Sequence, residues 1–276
     1  MKKEYLYVSL VALLFNIQNA QGENRLFPTD ILEKGEADIA FGVGWQHVSR
    51  SINDNGVSGT QKLDLTSEHS QFRYGLGESW HVGLALNDNS TYEVHTNFDN
   101  GQNFLSTRYQ GQQNPALWAK YGFVKDKNSP FSLSGEFLVS PNTTDNDTGG
   151  TETVALYGGL DYGNGLKGYA EYRGDFPRDH KFSRVHSISV GAYKTETENF
   201  TLVADVHYSR FEATDLDTAL QQYGVGLAAL LQVGHNSYVY PRVAVSQNTS
   251  RDTTDGTVHW GGSQGKVLSV SLYHLF

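Results

Sequence analysis

A chain of 276 residues in which 21 Lys and Arg face 30 Asp and Glu has a formal charge of -9, so a nucleic-acid partner has no electrostatic support. The absence of cysteine excludes disulfides, thiolate metal sites and a cysteine-borne lipid anchor together. With 29 Gly, 16 Tyr, 14 Phe and only 6 Pro at 38% hydrophobic content, two classes remain: a water-soluble β-sandwich, and a membrane barrel whose strands are apolar on one face.

The start of the chain reads as an export signal. Lys2 and Lys3 precede the apolar run from Tyr5 to Phe15, and Ala20 and Gly22 supply small residues for cleavage. The run is shorter than the roughly 20 apolar residues of a membrane helix. This reading assigns residues 1–22 to a cleaved signal peptide, 23–34 to a periplasmic lead-in and 35–276 to a barrel. No later segment is apolar enough for a helical span.

From residue 37 on, the chain alternates with the period of a strand. Ala37, Ile39, Phe41, Val43 and Trp45 share one parity, with polar or small residues between them. Phe72, Tyr74 and Leu76 continue the pattern, and after the turn Gly77-Glu78-Ser79 so do Trp80, Val82, Leu84 and Leu86, which makes a hairpin. Further apolar series follow at 117–123, 131–139, 154–162, 166–172, 188–192, 200–208, 223–231, 239–245 and 268–276. The sum is an all-β fold, a transmembrane antiparallel up-and-down β-barrel of about 12 strands.

Connection lengths give an independent signal. Short links at 77–79, 125–130, 163–165, 194–199 and 233–237 alternate with long polar ones at 51–66, 96–114, 141–150 and 248–263. Short periplasmic turns opposite long external loops are the layout of an outer-membrane barrel, and a soluble sandwich has no reason to sort its loops this way. An even strand count places both termini on the periplasmic side. The terminal Phe276, in phase with Leu268, Val270 and Leu272, looks like the strand by which such barrels are handed to the assembly machinery, although His274 departs from the usual apolar residue there.

If the apolar parity faces lipid, including lipopolysaccharide, the other parity lines a lumen that a small-molecule solute would cross. It carries Arg73, Lys120, Lys167, Arg173 and Arg242 against Glu136, Asp161, Glu171 and Asp205, joined by His81, His207 and several tyrosines. Two readings of these charges stand side by side: opposite charges that pair across a narrow barrel, or a constriction whose charge ring filters solutes. Lumen-facing Gly42, Gly44, Gly83, Gly224 and Gly226 likewise mark either free volume or close strand packing. Tyr and Trp near strand ends, among them Trp45, Trp80, Tyr162, Tyr208, Tyr223 and Tyr273, fit interfacial girdles.

Catalysis has weak support. His186 near Ser187 and Ser189, or His259 near Ser263, supplies fragments of a hydrolytic site, without a Gly-x-Ser-x-Gly elbow or a spaced carboxylate pair. The run Asp145 to Gly150 with Glu152 is a fragment of a Ca²⁺ loop and reads as a solvated acidic turn. No cofactor is expected.

Phe27-Pro28-Thr29-Asp30 with Leu32-Glu33-Lys34-Gly35, followed by Phe72-Arg73-Tyr74-Gly75-Leu76 leading into Val82-Gly83-Leu84, resembles the outer-membrane transporters grouped as a meta-pathway phenol-degradation family. Ala119-Lys120-Tyr121 is similar to a strand of that group. The resemblance implies uptake of small, often aromatic or apolar compounds, and it brings no catalytic residues. A channel is therefore the leading expectation, ahead of a structural or surface-interaction barrel and of an outer-membrane hydrolase.

Overall fold

A computed structural model describes residues 27–110, 115–124, 129–140 and 150–276. The expected signal peptide and most of the 141–150 link lie outside the described residues. The strands are β1 (Ala37–Asp54), β2 (Val57–Gly75), β3 (Trp80–Phe98), β4 (Asn103–Gln110), β5 (Ala116–Val124), β6 (Phe131–Ser140), β7 (Thr151–Gly163), β8 (Leu166–Pro177), β9 (Val185–Thr197), β10 (Phe200–Phe211), β11 (Leu220–Gly234), β12 (Ser237–Asn248), β13 (Arg251–Asp252) and β14 (Val258–Leu275). Each wall strand pairs antiparallel with its neighbours, and β14 returns to β1 with Trp45 opposite Leu268. Twelve strands thus close into a barrel, while β4 folds back on the far half of β3 and β13 pairs with β14. A backbone hydrogen bond from Phe276 N–H to the Ala37 carbonyl extends the seam between the first and last wall strands.

The outer wall confirms the parity reading. Phe41, Leu117, Phe137, Leu202, Leu227 and Leu272 are 45 to 61% exposed, which a water-soluble protein would not tolerate as a continuous belt. The belt is bounded by aromatic contacts, Trp80 with Tyr121 near the terminal mouth and Tyr208 with Tyr223 toward the far mouth. Tyr273 is a correction: it is 4% exposed and points inward against Tyr240. Leu227→Arg or Leu202→Arg should cost about 2–4 kcal/mol by placing a charge in the lipid band, whereas Leu227→Ala should fold normally. Refolding into vesicles, followed by heat-dependent gel mobility, checks this.

Three of the long links prove to be strand. The chain from 51 to 66 is the far half of the β1–β2 hairpin, turned by Asn55 and Gly56, both at positive φ (51° and 86°), as a two-residue type I′ turn requires. The 96–114 link contains the end of β3 and all of β4, and the 248–263 link contains β13 and the start of β14. Above Trp45, β1 runs on for roughly 30 Å at ~3.3 Å per residue. There the faces exchange character: Val48, Leu63, Leu65, Tyr92 and Val94 pack inward as an apolar cluster, while His47 and Asp64 form an exposed pair outside. The solvent outside has changed from lipid to water, so the buried face becomes the apolar one. On β3 an extra residue opposite the Glu68–His69 step shifts the register and turns the even positions from outward to inward.

Candidate functional site: the interior of the barrel

The described part of the lead-in segment, from Phe27, packs inside the barrel at the mouth where β1 begins and β14 ends. Phe27 packs edge-on against Tyr193 and Tyr169, with ring centroids 5.3 and 6.1 Å away, and Lys167 Nζ lies 5.5 Å from its ring centre. Lys120 Nζ donates to the Pro28 carbonyl, and Thr29 Oγ1 shares a 2.6 Å hydrogen bond with Ser132 Oγ. Leu32, only 1% exposed, donates its backbone N–H to His81 Nδ1 at 3.0 Å. Nδ1 is therefore the acceptor nitrogen of His81. Around Phe27, an inner layer of Ala40, Tyr169, Tyr193, Val203, Ala228, Tyr240 and Tyr273 completes an apolar, aromatic floor.

Two glycines make the berth. A Cβ on Gly75 would stand 1.9 Å from the Glu33 carbonyl oxygen, and one on Gly159 would meet the Phe27 ring at 2.5 Å and Thr29 Oγ1 at 2.9 Å. Any side chain at either position collides with the segment.

Around this floor the charges pair. Asp38 and Arg73 are cross-strand partners on β1 and β2, each 1% exposed in its side chain; Arg73 Nε donates to Asp38 Oδ1 at 2.7 Å and Nη2 donates to Oδ2. Arg242 grips Asp205 with two hydrogen bonds of 2.6 and 2.9 Å, and His207 Nδ1 stands 3.9 Å from the same carboxylate. Arg173 pairs with Asp175 at 3.1 Å, and Asp175 also accepts from Thr153. Lys120 is opposite Glu136 in the β5–β6 register and sits 4.3 Å from the Tyr157 ring centre. Tyr157 is opposite the half-buried Glu171 in the β7–β8 register. Asp161 and Lys167, 3.8 Å apart, are exposed near the terminal mouth.

All ten candidate residues thus stand on the inner parity; Arg73, Arg173, Arg242 with Asp205, and Lys167 with Asp161 are held in separate ion pairs, while Lys120 is held by the Pro28 carbonyl and faces Glu136 across the strands. Sequence reasoning missed Asp38 and Asp175, although Asp38 shares the inward parity of β1, and it missed Phe27, Thr29 and Leu32. The lumen-facing glycines resolve in favour of close packing: Trp118 lies across Gly83, His69 across Gly42, His207 across Gly224 and Arg242 across Gly226, each with an atom 2.4 Å or less from an ideal Cβ. An Arg placed at Gly83 or Gly226 would find no room.

At the far mouth, loops are tied to one another. Arg251 holds Asp217 at 3.3 Å and donates to Ser183 Oγ, all three buried, and Thr254 Oγ1 donates to the Asp215 carbonyl at 2.8 Å. These contacts tie the loops after β8, β10 and β12 together. The hydrolytic fragments come apart: His186 reaches Tyr172 and Glu212, while Ser187 is buried against Ser209 on the opposite face. His259 pairs with Asp252 in solvent, and Ser263 is buried against Asn248. Among the described residues, no group of three or more His, Asp or Glu could hold a metal ion.

No protein-family model and no curated protein sequence matches this chain. Solved structures do match its fold. An outer membrane channel from Pseudomonas putida F1 is 13% identical, with a TM-score of 0.55 over 92% of this chain and 100% of the other. The translocator domain of the autotransporter NalP from Neisseria meningitidis is also 13% identical, with a TM-score of 0.51 over 96% and 98%. A channel and a translocator domain share the architecture, so the likeness is one of fold.

Proposed function

We propose that the protein is an outer-membrane channel for passive uptake of small apolar or aromatic solutes, held closed by its own residues 27–34. One observation carries this reading. At the terminal mouth a short segment packs inside the barrel against the tyrosines of the wall, bound through a few replaceable polar contacts and one aromatic ring. Removing that segment would leave a tyrosine-lined floor, a surface suited to apolar rings. The resemblance to aromatic-compound transporters points the same way.

In this reading both termini are periplasmic, the far mouth is external, and the outer belt contacts lipid and, on the external side, lipopolysaccharide. Phe276, 67% exposed at the end of the closing strand, serves as the handle for the assembly machinery. The ten inward residues line the path and set its polarity. The reading as a non-enzyme rests on the separation of the histidines from the serines.

A second reading has its own support: the paired charges and packed glycines suit a sealed structural barrel that acts through its far-end extension. Osmotic swelling of proteoliposomes separates them. Vesicles carrying the wild type should swell slowly in a gradient of a small aromatic solute, and Gly75→Ala, which drives a methyl group into the Glu33 carbonyl, should swell several-fold faster. Vesicles that stay closed with both proteins would favour the structural barrel.

A further inference from the structure

Residues 27–32 occupy the floor of the lumen as a ligand would, and the groups they engage describe what else fits there. The ring of Phe27 completes a T-shaped cluster with Tyr169 and Tyr193, whose own centroids are 5.7 Å apart, with bare backbone beneath it at Gly159. This is a place for one ring, since T-shaped contacts with two tyrosines select an aromatic over an aliphatic group. Next to it the Pro28 carbonyl oxygen accepts a hydrogen bond from the buried ammonium of Lys120.

The same corner holds donors that the segment leaves unused. His81, fully buried and the cross-strand partner of Lys120, accepts from Leu32 at Nδ1, so its proton is on Nε2, which has no hydrogen-bond partner. On the adjoining strand Arg73 commits Nε and Nη2 to Asp38, while its buried Nη1 is also without a partner. Leaving buried donors unmade is costly. A group that only accepts, and offers more than one oxygen, answers this set better than a peptide carbonyl does. Glu136 opposite Lys120 and Asp38 beside Arg73 offset the positive charge, so recognition here works through directed donors more than through net charge.

We propose that this corner is a binding site for a monoaromatic carboxylate, whose ring takes the place of Phe27 and whose carboxylate takes the place of the Pro28 carbonyl on Lys120, with His81 and Arg73 as further donors. The inference rests on the channel reading and names its solute class. Arrival of such a solute displaces the segment, so ligand and plug compete for one site.

Calorimetric titration of the full-length protein in detergent with 3-phenylpropionate, its methyl ester and hexanoate tests this. Phe27→Ala should bind 3-phenylpropionate about tenfold more tightly than the wild type, because the internal competitor loses its ring contacts. The ester and hexanoate should each bind at least about tenfold more weakly than the acid. Lys120→Met should bind acid and ester alike, and Lys120→Arg should keep a preference for the acid, which separates lost recognition from lost folding. Equal affinity of Phe27→Ala and wild type for the acid, or equal affinity of Phe27→Ala for acid and ester, would overturn the proposal. Swelling assays on the same samples keep the two readings apart: faster swelling of Phe27→Ala without acid preference leaves the channel and removes the ligand class, and acid preference without swelling does the reverse.

Discussion

Replacing Arg73 with Met should destabilise the barrel by about 3–5 kcal/mol, because it leaves the Asp38 carboxylate buried without its partner. Both side chains are 1% exposed, so water cannot take over the lost hydrogen bonds. The position magnifies the effect: Asp38 stands at the start of β1, paired on one side with Arg73 and on the other with Leu275 of the closing strand. An uncompensated charge there acts on the seam that closes the cylinder. The double variant Asp38→Leu with Arg73→Met removes both charges and should recover most of the loss, since a buried pair contributes little beyond an apolar pair of similar volume. Urea titration of protein refolded in vesicles, read by heat-dependent gel mobility, compares the three proteins. A single variant as stable as the wild type would show that the pair is solvated and that the lumen at this level holds water.

The belt was legible in the sequence because lipid imposes the simplest rule a strand can carry, one apolar residue in every two. Phe41, Leu84, Leu202 and Leu227 obey it without exception for tertiary context. That rule stops at the membrane surface. Beyond Trp45, Val48 and Ile52 are buried inside and His47 and Asp64 are outside, so the apolar parity inverts and strand 51–66 reads as a polar loop. The turn Asn55-Gly56 was the local signal that a hairpin continued there. Tyr273 was misplaced for a related reason, since a tyrosine near a strand end suits both an interface and a core and only its parity, shared with Ser269 and Ser271, tells them apart.

The lumen was half legible. Parity put all ten charged candidates on the inner wall, but pairing depends on register and on the shear of the barrel, which single strands do not reveal. Arg173 meets Asp175 on its own strand, while Arg242 crosses to Asp205 by way of the bare Gly226 between them. The segment 27–34 carries no periodicity at all. Its place is encoded in the wall, at Gly75 and Gly159, and a missing side chain gives no pattern to read.

Deleting residues 27–34 bears most directly on the central claim that this segment closes an otherwise passable barrel. The twelve-stranded wall with Asp38, Arg73 and the β1–β14 seam is untouched by the deletion, and a barrel of this size without its plug has a bore between a side-chain-filled and an open aqueous one. Planar-bilayer recording of both proteins at one salt concentration gives the answer. The wild type should show small, rare conductance steps, and the deletion should show steady openings about tenfold larger, a size that follows from clearing the narrowest level of the bore. A deletion variant that migrates as a folded barrel yet conducts no better than the wild type would contradict the account.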